Sequence, residues 1–230
     1  FLVLCLVRRG NAQDCFRQAH ENTTLPELRS WLSAGACPST HVSCDDAYFR
    51  VTDRFMLQVP ANRALNITAV AGKQCVIDGT GTYPILWMNQ NTNLLLSGVT
   101  IKDARTLSGI TGAAITSNGG GAVTVTVDHC TFQNNYGQGY GGSIAAPRGT
   151  LRGGTFNLKI TNTLFDNCSS ELSGGAVNLG PGEHIVQGCT FNNCHANGMG
   201  GAINYEGGGD AGDSLIVDSS TFRSIDAAQS

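Results

Sequence analysis

Three segments of this 230-residue chain align on one another without a gap: HCTFQNNYGQGYGGSIAA at 129–146, NTLFDNCSSELSGGAVNL at 162–179 and GCTFNNCHANGMGGAINY at 188–205. In each, the first glycine of a pair stands nine residues after the phenylalanine, from Phe132 to Gly141, Phe165 to Gly174 and Phe191 to Gly200. A repeat this short cannot bury its own apolar face, so the pattern predicts a solenoid in which neighbouring copies cover one another. Degenerate copies at CVID (75–78), GVTI (98–101) and SSTF (219–222) extend the series. The key apolar position thus recurs at Ile77, Ile101, Phe132, Phe165, Phe191 and Phe222, at intervals of 24 to 33 residues.

Apolar residues alternate ahead of each key position: Leu94 and Leu96, Val125 and Val127, Leu158 and Ile160, Leu215 and Val217, with His184 and Val186 the one mixed pair. Period two marks a strand. A second short strand carries the key position, and a third follows the glycines, at Ile115, Ile144, Val177 and Ile203. The fold expected is all-β: a right-handed, single-stranded parallel β-helix of about six coils over 61–230. Its core would be built of columns, an aromatic one at Phe132, Phe165, Phe191 and Phe222 and a small one at Cys75, Val99, Cys130, Thr163, Cys189 and Ser220. Parallel strands demand burial, and columns supply it. Two residues after each phenylalanine stand Asn134, Asn167 and Asn193, with Asp103 one coil earlier. Asparagine tolerates left-handed backbone at a bend, and its amide can bond the amide of the next coil, which predicts a structural ladder.

Composition agrees. Charged residues are 13% of the chain, about half the usual share, and the 30 glycines are nearly double it. Surface helices need many charges, so a helix bundle is excluded. A net charge of −3 leaves no basic field for a phosphate backbone, which excludes nucleic acid as a partner.

The first residues, FLVLCLV followed by Arg8-Arg9 and Gly10-Asn11-Ala12, read as a signal-peptide remnant over 1–12. Seven apolar residues are too few to span a bilayer, which takes about 20, and no longer run follows. Residues 13–60 read as a cap with a helix around Leu25–Leu32, Thr24 as its N-cap, Pro26 in its first turn and Gly35 as its stop. An amphipathic helix across the first coil would cover the open core. In an exported chain the cysteines are disulfide candidates. Cys37 would join Cys44 or Cys15, and Cys168 would join Cys194, one coil away at about 4.8 Å. Cys130 and Cys189, two coils apart at about 9.6 Å, should stay unbridged. Asn22 and Asn66 head glycosylation sequons; Asn167 also does, but sits in the ladder.

The motifs resemble the repeat region of the polymorphic membrane protein family, whose hallmark pairs GGA[ILV] with FxxN. Gly200-Gly201-Ala202-Ile203 and Gly174-Gly175-Ala176-Val177 match the first motif, and Gly141-Gly142-Ser143-Ile144 nearly does. Phe132 to Asn135 matches the second, whereas Cys168 and Cys194 stand where the later copies would have asparagine. The resemblance covers about 65–230. It implies a β-helix of the pectate-lyase-like superfold and a secreted or surface-displayed passenger that adheres or forms a coat.

The connection after the third strand is the one that varies in length, and variable insertions on one edge point to a binding face. That edge carries Arg148, Arg152, Glu183, His184, Glu206, Asp210 and Asp213. Enzymes of this shape that cleave acidic polysaccharides need charged side chains converging from neighbouring coils, either paired carboxylates or a base with calcium-bound carboxylates. The densest cluster is Lys102, Asp103 and Arg105 with Asp128 and His129, so these would be the catalytic candidates of a lyase or hydrolase. The acids one strand ahead, Asp128 and Asp218, lie three coils apart. No cofactor or metal is implied: Gly208-Gly209-Asp210-Ala211-Gly212-Asp213 lacks a glycine that the calcium nonapeptide requires. The reading of the sequence is therefore a non-enzymatic, extracellular or cell-surface solenoid. Its expected partners are further copies stacked head to tail, other surface proteins or a glycan. The alternative is a polysaccharide lyase or glycoside hydrolase.

Overall fold

A computed structural model of the chain describes residues 14–33, 37–53, 56–106, 112–117, 120–146, 153–209 and 212–228. These residues wind into a parallel β-solenoid of about seven turns. Four sheets run along its axis. The first has eight strands: Cys15–His20, Ser39–Asp45, Ala64–Ala69, Thr92–Ser97, Ala122–Asp128, Thr155–Thr161, Glu183–Gln187 and Ser214–Asp218. The second has seven, from Ala47–Arg50 to Thr221–Arg223, and the third six, from Leu57–Val59 to Ile203–Tyr205. A narrow fourth sheet of four two-residue strands, Tyr136–Gly137 to Asp226–Ala227, lies between the second and third.

Alternation sets which residues face inward. Strand neighbours put Leu65, Leu94, Val125, Leu158, His184 and Leu215 in one inward column. In the second sheet the inward column is Phe49, Ile77, Ile101, Phe132, Phe165, Phe191 and Phe222. Its four last rings stack at centroid spacings of 4.9, 4.8 and 4.9 Å, within 7° of parallel. This spacing equals the distance between hydrogen-bonded strands, so backbone register and ring stacking reinforce each other.

The corners explain the recurring polar residues. Asp103, Asn134, Asn167 and Asn193 all have φ between 51° and 54°. Their side chains form the expected ladder: Asn134 Nδ2 donates to Asp103 Oδ1 at 3.2 Å, Asn167 to Asn134 at 2.9 Å, and Asn193 to Asn167 at 3.1 Å. The glycine pair has two separate causes. Gly174 is left-handed at φ 71°, and at Gly175 a Cβ would collide with the carbonyl oxygen of Gly201 in the next coil. The first position needs glycine for conformation, the second for clearance.

Three expectations change. First, the solenoid begins earlier. Ser39–Asp45, Ala47–Arg50 and Leu57–Val59 make a complete coil inside the segment 13–60 read as cap, and Cys15–His20 adds one more strand to the first sheet. This coil has no glycine pair and no Phe-x-x-Asn, yet its inward set of Val42, Phe49, Leu57 and Val59 is buried. Helix Leu25–Ser33 does close the core, burying Leu25, Leu28 and Leu32. Thr24 caps it reciprocally: its N–H donates to Glu27 at 2.7 Å, and Glu27 N–H donates back to the Thr24 hydroxyl at 3.4 Å. Gly35 lies outside the described residues, as does the remnant segment 1–12.

Second, the disulfides among the described residues are Cys15–Cys37, Cα atoms 5.8 Å apart, and Cys44–Cys75, 5.4 Å apart. The second departs from the sequence pattern, which places Cys75 in the small core column. Cys44 lies on an inward position next to the same corner one coil earlier.

Third, Cys168 and Cys194 are free, fully buried thiols. They fill one donor role of the motif asparagine. Asn135 is buried and donates to Ile101 O in the previous coil at 3.2 Å. Cys168 Sγ donates to Phe132 O at 3.6 Å and Cys194 Sγ to Phe165 O at 3.8 Å, the equivalent carbonyls one and two coils on. Cys130 and Cys189 are also free and buried; burial pushes the Cys130 thiol up to about 11, which disfavours its thiolate at neutral pH.

Candidate functional site

The five residues of the charged cluster separate into two groups at opposite ends of the second-sheet strands. Asp128 aligns with Ser97, ahead of that sheet, whereas Lys102 follows the inward Ile101 within it. Lys102 lies 3.7 Å from Asp78 and 3.5 Å from Asp103, with its ammonium 5.6 Å from the Tyr48 ring. The Tyr48 hydroxyl beside it holds the ammonium above the usual lysine range, and Asp78 and Asp103 add to this. Arg105 packs 4.6 Å over the Tyr136 ring, and the Tyr136 hydroxyl donates to Glu171. Asp103 belongs to the amide ladder. At the other corner Asp128 accepts from Thr161 at 2.5 Å and from Asn162 at 3.3 Å, and His129 lies 2.8 Å away. Those bonds, Thr161 first, hold the Asp128 carboxyl below the usual carboxylate range. His129 has φ 50°, the corner conformation that Asn162 and Ser219 repeat in later coils. The Asp128 group ties one coil to the next, while Asp78 and Asp103, from neighbouring coils, both flank the Lys102 ammonium.

The loop edge is corrected in one respect. His184 does not line it: the side chain is fully buried in the inward column between Leu158 and Leu215. Its Nε2 lies 3.0 Å from Gly180 O, its ring meets Tyr205 edge-on at 5.4 Å, and its Nδ1 has no partner. Burial lowers its pKa, opposed by Gly180 O and Asp213. Asp213 organises the turn, accepting from Gly182 N–H at 2.9 Å and Gly208 N–H at 2.6 Å. Glu206 accepts from Asn204 at 3.1 Å, and Asn204 also donates to Asn178 at 2.7 Å. Glu183 is exposed at the start of its strand. Arg148, Arg152 and Asp210 lie outside the described residues.

Clefts among the described residues lie at the end bearing the helix. A cleft of about 790 Å³ opens between the helix and the first corner and is lined by Gln18, Asn22, Trp31, Asp45, Asp46 and Lys73 among others. A shallower one of about 490 Å³ adjoins it on the outer face of the first sheet, sharing Arg17 and Gln18. There Phe16, 49% exposed, stacks on His41 at 4.7 Å. His41 also contacts Ser39 and Asp14, but both approach Nε2, at 2.9 and 3.5 Å, while Asn66 Nδ2 donates to Nδ1 at 3.0 Å. A nucleophilic triad needs its acid on the ring nitrogen opposite the serine, and here Asp14 and Ser39 share Nε2, so the trio lacks that arrangement. The sequon amide of Asn66 is engaged there, while Asn22 is exposed on the cleft rim. Neither cleft was legible in the sequence, because the first strand and the helix lie outside the repeat. Only the aromatic residues Phe16 and Trp31, in a chain with 7% aromatics, hinted at it.

No helix among the described residues is long and apolar enough to cross a membrane. Comparison of the chain with protein-family models, with curated proteins and with solved structures gives no match.

Proposed function

We propose that this chain is a structural and adhesive component of an extracellular surface, a rigid solenoid that displays its ends and edges rather than a catalyst. The observation that carries this reading is where the outward polar side chains are used. Asn134, Asn167 and Asn193, the Asp128–Thr161 pair, the Asn192–Asp166 bond of 2.7 Å and the Gln187–Asp218 bond of 3.0 Å all tie coil to coil. Two disulfides in the first coils fit an oxidising compartment. The resemblance of the GGA[ILV] and FxxN motifs to surface passengers supports the same assignment.

The test is made on protein from the cells that produce it. Surface labelling with a membrane-impermeant reagent should mark it, and non-reducing peptide mapping should recover Cys15–Cys37 and Cys44–Cys75. Recovery of both pairs as free thiols in an intracellular fraction would refute the reading. Turnover of polygalacturonate or another uronate polymer by the purified chain would establish the lyase or hydrolase in its place.

A further inference from the structure

We infer that the cleft between helix Leu25–Ser33 and the first corner is a binding site for an uncharged oligosaccharide, an inference that rests on the surface reading above and gives it a ligand. The cleft, about 790 Å³, falls in the size range of small-ligand sites, about 300–1,000 Å³. Its one lysine is committed to two of its carboxylates, and a third is held by the helix cap. Lys73 lies 2.7 Å from Asp46 and 3.2 Å from Asp45, and Glu27 is held by the Thr24 N–H and hydroxyl at 2.7 and 3.0 Å. Beside the charged Arg17 and Glu21, the cleft offers planar, neutral groups to a ligand. Among the described residues the Trp31 indole N–H and the side-chain amides of Gln18 and Asn22 make no hydrogen bond to protein.

This is the chemistry that a sugar ring meets. An indole offers an apolar face with a polar edge, against which the C–H face of a pyranose packs. Primary amides donate and accept together, as ring hydroxyls do. The lining holds four carboxylates, Glu21, Glu27, Asp45 and Asp46, against the two permanent cations Arg17 and Lys73. That excess repels a uronate, so the site discriminates against the acidic polymers that a lyase of this shape would take. Phe16 on the adjoining shallow cleft, joined through Arg17 and Gln18, extends the surface for a chain longer than one or two sugars.

Binding is read by calorimetry on the unglycosylated full chain and by tryptophan fluorescence in a Trp87→Phe variant, which leaves Trp31 as the single reporter of the two tryptophans. The probes are cellotetraose, laminaritetraose, mannotetraose and chitotetraose, with tetragalacturonate as the acidic control. At least one neutral tetrasaccharide should shift the Trp31 emission saturably, and tetragalacturonate should not. Trp31→Ala should weaken binding at least tenfold. The double change Gln18→Ala, Asn22→Ala, at exposed positions, should weaken it about fivefold or more, with circular dichroism matching the parent. The inference is overturned if none of the four neutral probes binds, if tetragalacturonate binds more tightly than they do, or if the double variant binds like the parent. A chain that labels at the cell surface yet binds no neutral probe would remove this site and leave the surface reading standing. Intracellular retention would remove the surface reading itself.

Discussion

Asn167 sits in the middle of the corner ladder and combines two contributions that substitution can separate. It donates to Asn134 at 2.9 Å and accepts from Asn193 at 3.1 Å, and its φ is 53°. Asn167→Ala removes both side-chain bonds. At an exposed corner, where water replaces them, each is worth about 0.5 kcal/mol, the low end of the net range. It also places a Cβ-bearing residue without a local hydrogen bond in left-handed backbone, which costs roughly 1–2 kcal/mol. The alanine variant should therefore lose about 2–3 kcal/mol. Asn167→Gly loses the same two bonds but escapes the backbone strain, while adding about 0.4–1 kcal/mol of chain entropy to the unfolded state. It should be more stable than the alanine variant by about 0.5–1 kcal/mol, even though glycine supplies no contact. Urea unfolding followed by circular dichroism measures both, with the slope checked for constancy. If glycine proves as damaging as alanine, the left-handed corner is not what selects asparagine here. If both variants stay within about 0.5 kcal/mol of the parent, the ladder is not stabilising.

Two further outcomes follow from the core. Phe165 is fully buried with a ring on each side, whereas Phe222 is 45% exposed with one. Phe165→Ala should cost about 3–5 kcal/mol and Phe222→Ala about half that or less in the same urea assay; equal losses would refute the stacked-column account. His184 is buried in a neutral form, with Asp213 and Tyr205 as the groups facing it, so the unfolded chain binds its proton more readily than the folded one. Its contribution is complete above the unfolded value near 6.5 and is lost as pH falls from there toward the lowered folded value. His184→Leu, which continues the Leu158–Leu215 column, should flatten the fall in stability between pH 7 and 4.5; an unchanged slope would show that His184 does not titrate there.

How much of this was legible depends on where the repeat is strict. From Phe132 onward, strand alternation, a constant Phe-to-Gly spacing and corner asparagines all coincide, so fold, register and ladder follow from spacing alone. Between 39 and 59 the same coil is present, but Phe49 stands without a glycine pair, and its corner uses Asp46 at φ 55°. A coil needs inward residues and a left-handed corner, and several residue types meet each need. Cys168 and Cys194 misled because register brings two cysteines together in either oxidation state. The signal that decides between them is the equivalence with Asn135, whose amide fills the same donor role. His184 was already in an inward place by alternation; its polarity alone suggested the loop edge.

The placement of the two disulfides has a mechanical consequence. Hydrogen bonds between successive coils run along the solenoid axis, so tension applied along that axis loads them one coil at a time, as in opening a zipper, rather than many at once in shear. Cys15–Cys37 and Cys44–Cys75 reinforce the coils beside the helix and leave the phenylalanine-stacked coils without a covalent tie. Under load, the molecule would come apart in sequence from the unstapled side, each released coil adding slack. The end that carries the Trp31 cleft would hold its shape longest.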